Sequence, residues 1–119
     1  MKQTYEMTML YDFYGDLLTD RQKEFFNMYY NEDLSLSEIA ENAGITRQGV
    51  RDVLVRAEAT LTEIEDKTGT IARFQQLRQE AEEIQKSAEL ILNQNRLYQD
   101  RQIQREARKI RDAALRIKE

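Results

Sequence analysis

The chain has 119 residues, the length of one domain or of a small domain with an appendage. It contains no His and no Cys, which excludes cysteine nucleophiles, imidazole bases, zinc fingers and disulfide frameworks. Charged residues make up 34% of the chain and leave a net charge of -4, a balance that is typical of folded proteins and indicates no particular partner.

Hydrophobic runs are short everywhere in the sequence. None exceeds three residues, whereas a membrane span needs about 18 and the core of a signal peptide about 7. We therefore expect a cytoplasmic protein without a membrane span. The chain has no Pro and only four Gly, so few positions can interrupt a helix, and we predict an all-α fold.

The two halves of the chain differ in composition. Eight of the ten aromatic residues lie within the first thirty positions, so we expect an aromatic core in the first half. Residues 1–68 carry seven Lys or Arg against fourteen Asp or Glu, net -7, whereas residues 69–119 carry eleven against eight, net +3. We place a domain boundary between the halves, where Gly69 can end one helix in the left-handed conformation and Thr70 can cap the next.

Two helices are predicted in the first thirty residues. The first runs from about Thr4 to Leu18, because apolar residues recur there at helical spacing. These residues are Met7, Leu10, Tyr11, Tyr14, Leu17 and Leu18. The second helix opens at a capping box over Thr19–Gln22, in which each side chain satisfies a backbone amide at the other position, and it runs to about Asn31.

Two further helices complete residues 1–68. The third opens at a second capping box, Ser35–Glu38, and ends near Ala43. Thr46 is predicted to cap the fourth, which continues to about Asp66. The fourth helix has one apolar stripe, formed by Val50, Val53, Leu54, Ala57, Leu61 and Ile64.

Only three residues separate the third and fourth helices. In a helix-turn-helix, a small residue lets the second helix approach closely, a Gly four residues later makes the turn with positive φ, and apolar residues pack the helices together. All of these positions are filled here, by Ala40, Gly44, Ile45, Val50 and Leu54. The spacing therefore predicts a helix-turn-helix.

The longer run from Leu18 to Leu61 resembles the fourth region of primary bacterial sigma factors. With the aromatic helix in front of it and the string Thr-Arg-Gln-Gly-Val at 46–50, the chain resembles more narrowly the YlxM family of helix-turn-helix proteins from Gram-positive bacteria, over about residues 7–74. The resemblance implies a winged-helix-like or sigma region-four-like domain in residues 1–68. It also implies a cytosolic regulatory accessory of the signal recognition particle that binds the particle's RNA or its targeting GTPase.

The helix-turn-helix supplies one set of candidate nucleic-acid contacts. The first turns of its second helix would enter the major groove of DNA, and the exposed candidates there are Thr46, Arg47, Gln48, Arg51 and Arg56. Asp52 on the same helix, and Glu38 and Glu41 on its partner, would repel phosphate in a domain that is already acidic. A transcription regulator that uses this unit on promoter DNA or on RNA polymerase is therefore the alternative function, behind the regulatory accessory.

Gly49 lies inside the fourth predicted helix and weakens it by about 1 kcal/mol relative to Ala. Two explanations fit the sequence. Another group packs close to the Gly49 backbone, or the site tolerates the loss.

The second half contains two apolar seams. The first follows a heptad repeat. Its first core position holds Phe74, Ala81, Ala88 and Asn95, and its second holds Leu77, Ile84, Ile91 and Tyr98. A second seam follows in shifted register, formed by Ile103, Ala107, Ile110, Ala114 and Ile117.

Two structures fit these seams. One is an antiparallel helical hairpin that turns near residues 93–95, in which the alanines accommodate the opposite backbone. The other is one long helix that pairs with a second chain, with Asn95 fixing the register of the dimer. In either case residues 69–119 form a helical arm, and we expect a homodimer.

The end of the chain supplies a second set of candidate contacts. The last twenty-four residues hold eight Lys or Arg and four Asp or Glu, net +4. Arg101, Arg105 and Arg108 fall near one helix face, and guanidinium groups pair with phosphates and stack on unpaired bases. We therefore predict that these three residues contact RNA. The alternative is a solvated face, balanced by intrahelical pairs with Asp100, Glu106 and Asp112.

Catalytic chemistry is not expected from this sequence. The carboxylates are scattered over polar helix faces, and no glycine-rich phosphate loop is present. We predict no catalytic residue, no metal site and no cofactor. An accessory of this kind can still alter the transition state of a partner's GTPase through a docked helix or an Arg side chain.

Overall fold

The computed structural model describes residues 4–119, which contain six α-helices, one turn of 3-10 helix and no β-strand. The helices are α1 (Thr4–Tyr14), α2 (Asp20–Tyr30), α3 (Leu36–Ala43), α4 (Arg47–Thr68), α5 (Thr70–Tyr98) and α6 (Arg101–Lys118), and the 3-10 turn is Gly15–Leu17. The predicted all-α class is therefore confirmed. One compact unit ends at Ile71, and a second runs from Ala72 to Glu119.

Helix α4 is the centre of the first unit, and α1, α2 and α3 all pack against it. The predicted stripe on α4 is confirmed: four of its residues, Val50, Leu54, Ala57 and Leu61, have no exposed surface. The aromatic core is confirmed as well, since Phe25 and Phe26 are 1% exposed and the ring of Tyr11 stacks on Phe26 with centroids 4.6 Å apart. Burial of each such side chain contributes about 2 kcal/mol.

Both predicted capping boxes are present. The Thr19 hydroxyl accepts the Gln22 amide at 3.2 Å, and the Gln22 side chain accepts the Thr19 amide at 3.0 Å. Ser35 and Glu38 make the same reciprocal pair at 3.1 and 3.0 Å. These bonds satisfy backbone donors that the helix cannot satisfy itself, and they place the starts of α2 and α3 where the sequence predicts them.

The first helix ends earlier than predicted. Helix α1 stops at Tyr14, and the chain tightens into the 3-10 turn before Leu18 takes an extended conformation. The ring of Tyr11 lies against Gly15, where a Cβ atom would be 3.1 Å from it. Because a 3-10 turn has about three residues rather than 3.6 per turn, Leu17 rotates off the predicted stripe and is 67% exposed.

The junction of α4 and α5 confirms one expectation and corrects another. Gly69 has φ of 61° and ends α4, as predicted. Thr70 does not precede α5 as its cap but is its first residue. Side chains of α4 cap α5 instead, because Glu65 accepts the Ile71 amide at 3.0 Å and the Thr68 hydroxyl accepts the Thr70 amide at 3.4 Å.

The second unit is an antiparallel hairpin of α5 and α6, so the single long helix is wrong. Lys118, at the end of α6, donates to the Gln85 side chain at 2.8 Å and lies 3.8 Å from the Glu82 carboxylate. The alanines of both seams are only 1–2% exposed, as expected where small residues let two helices approach closely: they are Ala81, Ala88, Ala107 and Ala114. None of the helices in residues 4–119 has the length and apolarity of a membrane span.

The hairpin turns at Gln99 and Asp100, five residues beyond the predicted position. Gln99 takes a positive φ of 52°. Asn95 is 4% exposed, and its side chain donates to the Asp100 carbonyl at 2.8 Å and accepts the Asp100 amide at 3.1 Å. The Asp100 carboxylate then caps α6 by accepting the amides of Gln102 and Ile103. Asn95 therefore braces this turn. Its predicted role in fixing the register of a dimer belonged to the single long helix, which the chain does not form.

Candidate nucleic-acid interface

Helices α3 and α4 form the predicted helix-turn-helix. Gly44 has φ of 69° and donates its amide to the Ala40 carbonyl, which also accepts the Ile45 amide at 3.1 Å. Val50 and Leu54 are fully buried behind the turn. The left-handed conformation that the turn needs is the one that glycine adopts without a steric penalty.

The start of α4 explains Gly49. Thr46 caps the helix, and its hydroxyl accepts the Gly49 amide at 3.0 Å. A Cβ atom at residue 49 would lie 3.2 Å from that hydroxyl and 3.4 Å from the Cδ1 atom of Ile45. The group that packs close to the Gly49 backbone is therefore the chain's own turn.

The structure brings together some of the predicted helix-turn-helix contacts. Thr46, Arg47, Gln48, Arg51 and Arg56 are all exposed. Arg47 and Arg51 lie one turn apart on one face of α4, whereas Arg56 lies about 180° around the helix from Arg47. The Gln48 amide donates to the Asp52 carboxylate at 3.0 Å, so an acidic group already engages the side chain that would read a base edge.

The surface around this helix start is negative. Glu38 and Glu41 are exposed on α3, the partner helix. The backbone amide of Ser35 donates to the Glu38 carboxylate, which favours the ionised form and lowers its pKa from the usual value of 4.5. The two arginines of the helix-turn-helix therefore belong to a strongly acidic unit, which opposes the approach of phosphate.

A second candidate surface lies on the hairpin. An open groove of about 780 Å³ follows the end of α5, the turn and the first half of α6. Five basic residues line it: Arg96, Arg101, Arg105, Arg108 and Lys109. The structure thus brings the three predicted RNA contacts together in one concave surface. An adjoining groove of about 350 Å³ shares Arg96 and Arg108 and adds Arg111.

Two acidic residues, Asp100 and Asp112, line the same groove, and both already have partners. The Asp100 carboxylate caps α6, and Asp112 pairs with Arg111 at 3.1 Å. Glu106 lies 3.4 Å from Lys109. Within residues 4–119, no ion pair involves Arg101, Arg105 or Arg108. Intrahelical pairing therefore balances Lys109 and Arg111 but leaves Arg101, Arg105 and Arg108 without an ion-pair partner.

Arg96 is a residue of the groove that sequence reasoning did not select. It lies on α5, nine residues before Arg105, and no helical spacing relates the two positions. The hairpin turn at Gln99 and Asp100 brings them to the same groove. In the sequence, the indication of this contact is the polar stretch around Asp100, which follows Arg96 and is typical of a turn.

Across 4–119, no group of three or more His, Cys, Asp or Glu side chains is arranged to hold a metal ion. The two surfaces above are those whose exposed arginines suit anionic polymers.

Comparisons with known proteins place the chain in a family. Residues 1–105 match the sequence model of UPF0122, described as "Putative helix-turn-helix protein, YlxM / p13 like". A UPF0122 protein of Thermoanaerobacter sp. strain X514 is 50% identical over 90 residues, which are 76% of this chain and 77% of that protein. A UPF0122 protein of Desulforamulus reducens is 53% identical over 76 residues, 64% of this chain and 65% of that protein. One of Bacillus thuringiensis is 45% identical over 76 residues, 64% of this chain and 69% of that protein. The chain therefore belongs to the UPF0122 family of YlxM/p13-like helix-turn-helix proteins.

Proposed function

We propose that the protein is a cytoplasmic regulatory accessory of the signal recognition particle, and that it binds the particle's RNA through the basic groove of the α5–α6 hairpin. The observation that carries the RNA contact is the convergence of Arg101, Arg105 and Arg108 without ion-pair partners. Guanidinium groups engage both features that folded RNA offers, which are phosphates and unpaired bases. The link to the particle rests on the family resemblance.

Salt dependence gives this contact a measurable signature. Four arginines that each neutralise one phosphate of a single-stranded region give a slope of about −3 in log K against log salt. Affinity would then fall about 50-fold between 50 and 200 mM salt. A groove that binds RNA mainly by stacking would show a smaller slope.

The matched experiment compares the two arginine sets. Binding to the particle's RNA is measured at about 0.15 M salt, where screening is physiological. We expect Arg101→Ala, Arg105→Ala and Arg108→Ala together to weaken binding by at least tenfold, because three cationic contacts are lost. The control variant, Arg47→Ala with Arg51→Ala, should bind within about twofold of the unaltered chain. Equal losses in the two variants would refute the assignment to the hairpin.

The helix-turn-helix geometry favours one alternative function, a transcription regulator acting on promoter DNA or RNA polymerase. Its turn has the left-handed glycine that the motif requires, and Arg47 and Arg51 are exposed on one face of α4. Preference for a promoter duplex over the particle's RNA, abolished by Arg47→Ala and Arg51→Ala, would establish this alternative. The same binding assay therefore decides between the two functions.

The regulatory part of the proposal concerns the particle's targeting GTPase. A docked helix or an Arg side chain can change a partner's rate of GTP hydrolysis without an active site of its own. The measurement is the hydrolysis rate of the targeting GTPase, with the particle's RNA present, across a titration of this chain. If the chain changes the hydrolysis rate and the Arg101, Arg105 and Arg108 triple variant does not, regulation depends on the RNA contact. An unchanged hydrolysis rate at a saturating concentration of the chain would contradict the regulatory role.

We also infer that the working form is a homodimer. The hairpin leaves several large apolar residues exposed, among them Ile84 and Ile110 at 45% each. Large apolar surfaces on water-soluble proteins mark interaction sites. The mass of the chain in solution tests this part of the proposal.

A further inference from the structure

The hairpin buries its alanines and leaves a regular row of larger residues outside on each helix. On α5 the exposed residues repeat every seven positions and are 42–55% exposed: Leu77, Ile84 and Ile91. On α6 they repeat every seven positions and are 44–49% exposed: Ile103, Ile110 and Ile117. We call these six residues the apolar stripe. Single exposed apolar side chains are ordinary, but two heptad rows on one hairpin are not.

Residues from both rows of the apolar stripe line one groove of the hairpin. A groove of about 330 Å³ between α5 and α6 is lined by Ile91 from one helix and by Ile103 and Ile110 from the other, with Ala107 between them. The basic groove shares only Asp100 with this one. On α6, Arg105 lies about 160° around the helix from Ile103, so the apolar and basic surfaces occupy different sides.

We propose that the apolar stripe is the dimer interface, and that two hairpins pack through it as a symmetric four-helix assembly. This inference rests on the proposed homodimer and names its surface. A two-fold interface uses the same patch on both copies, so each stripe must be complementary to itself. A seven-residue repeat winds a helix to match a partner with the same repeat, and a second copy supplies that partner.

The area of the stripe agrees with this occupant. Its six residues are 42–55% exposed, which corresponds to roughly 500 Å² on each copy, so complete burial of both stripes would remove about 1,000 Å² from water, the lower limit for a specific interface. The positions between successive stripe residues hold Ser87 on α5 and Ala113 on α6, and Glu80 and Glu106 one repeat earlier on each helix. The small residues Ser87 and Ala113 let the opposing helices approach closely beside them, while the Ala107 groove can receive an isoleucine from the second copy.

The arrangement has a consequence for the RNA contact. Because the basic groove lies on a different side of the hairpin from the stripe, pairing would leave one groove accessible on each copy. A dimer then offers two RNA-binding surfaces, whose joint binding to one RNA gains from effective concentration rather than from new contacts.

The test measures the mass of the full chain by sedimentation equilibrium across a concentration series at about 0.15 M salt. We expect twice the chain mass of 14.1 kDa at tens of micromolar. Ile84→Glu and Ile110→Glu should each raise the dimer dissociation constant at least 100-fold. The matched control is Leu90→Glu, because Leu90 is 62% exposed and lies off the stripe, and it should stay within about twofold. Ile110→Ala, which adds no charge, should weaken the dimer about tenfold and serves if a Glu variant fails to fold.

Crosslinking locates the interface independently. The chain contains no Cys, so a single Cys introduced on the stripe is the only thiol present. Ile110→Cys should crosslink into dimers with a short bismaleimide, whereas Leu97→Cys, at an 87% exposed position off the stripe, should not.

Two results would overturn the proposal. The first is a wild-type chain whose mass stays at 14.1 kDa at every concentration. The stripe would then be covered by another protein or by another part of the same chain, and not by a second copy. The second is a dimer that Ile84→Glu and Ile110→Glu leave intact. Dimer formation and RNA binding can be distinguished by these variants. Ile110→Glu should lose the dimer but retain the RNA affinity of a single groove, whereas the Arg101, Arg105 and Arg108 triple variant should lose RNA affinity but remain dimeric.

Discussion

Replacing Tyr30 by Phe should destabilise the first unit far more than loss of one oxygen atom usually does. The Tyr30 hydroxyl donates to the Glu58 carboxylate at 2.5 Å, and the two residues are each only 8% exposed. A hydrogen bond to a charged group contributes about 1.5 to 3 kcal/mol. Its removal also leaves a buried carboxylate without its donor, so we expect a loss of about 2 to 3 kcal/mol.

Urea unfolding at pH 7, followed by circular dichroism, measures this loss, and the midpoint of thermal unfolding should fall by about 10 °C or more. Tyr29→Phe is the matched control, because Tyr29 contacts the edge of the Tyr30 ring but lies on the half-exposed side of α2. It should cost less than about 0.5 kcal/mol.

A double variant tests the physical reason. Tyr30→Phe with Glu58→Met removes both polar partners and replaces them by apolar groups of similar size, so much of the lost stability should return. The coupling free energy in this cycle should exceed about 1 kcal/mol. The reasoning is refuted if Tyr30→Phe costs no more than Tyr29→Phe, or if the two substitutions are additive.

Three further outcomes follow from the same structure. Burial and the Glu58 bond raise the pKa of Tyr30 above its usual value of 10.0. The stability that this group contributes is therefore fully present below pH 10 and should decline as the pH rises above 10. Thermal midpoints measured between pH 8 and 11 should fall more steeply for the wild type than for Tyr30→Phe. Gly44→Ala should cost about 1 to 2 kcal/mol in urea unfolding, because φ is 69° there, and a cost equal to that of Ala at an ordinary helix position would contradict the strain. Asn95→Ala should cost about 1 to 3 kcal/mol, because the Asp100 backbone loses both of its hydrogen bonds to the Asn95 side chain. Hydrogen exchange should accelerate first in the amides of α6, and uniform protection would count against the bracing role.

Local features of this fold are readable from the sequence because their partners are close in the chain. The capping boxes at Thr19 and Ser35 and the turn at Gly44 depend on bonds that span three or four residues. A residue pattern over such a distance contains both partners, so it predicts the geometry. The same is true of the stripe on α4, whose helical period identifies a buried face.

Contacts between distant residues were not readable in this way. The Tyr30–Glu58 pair joins positions 28 apart, and the Tyr14 hydroxyl donates to Glu65, 51 positions away. The early end of α1 depends on Tyr11, whose ring lies against Gly15 and stacks on Phe26 of another helix. No local pattern contains both members of such contacts, and Arg96 was missed as a groove residue for the same reason.

The hairpin shows where the division lies. The seven-residue repeat alone shows which residues of α5 and α6 share a face, because such a repeat fits a helix whether its partner is near or far in the chain. It leaves open whether the alanine rows face each other within one chain, and the folded hairpin shows that they do, with the apolar stripe on the outside. The reason is physical: the bonds that Asn95 and Asp100 make at the turn reverse the chain, and once it is reversed the closest approach of the two backbones selects the smaller side chains for the inside.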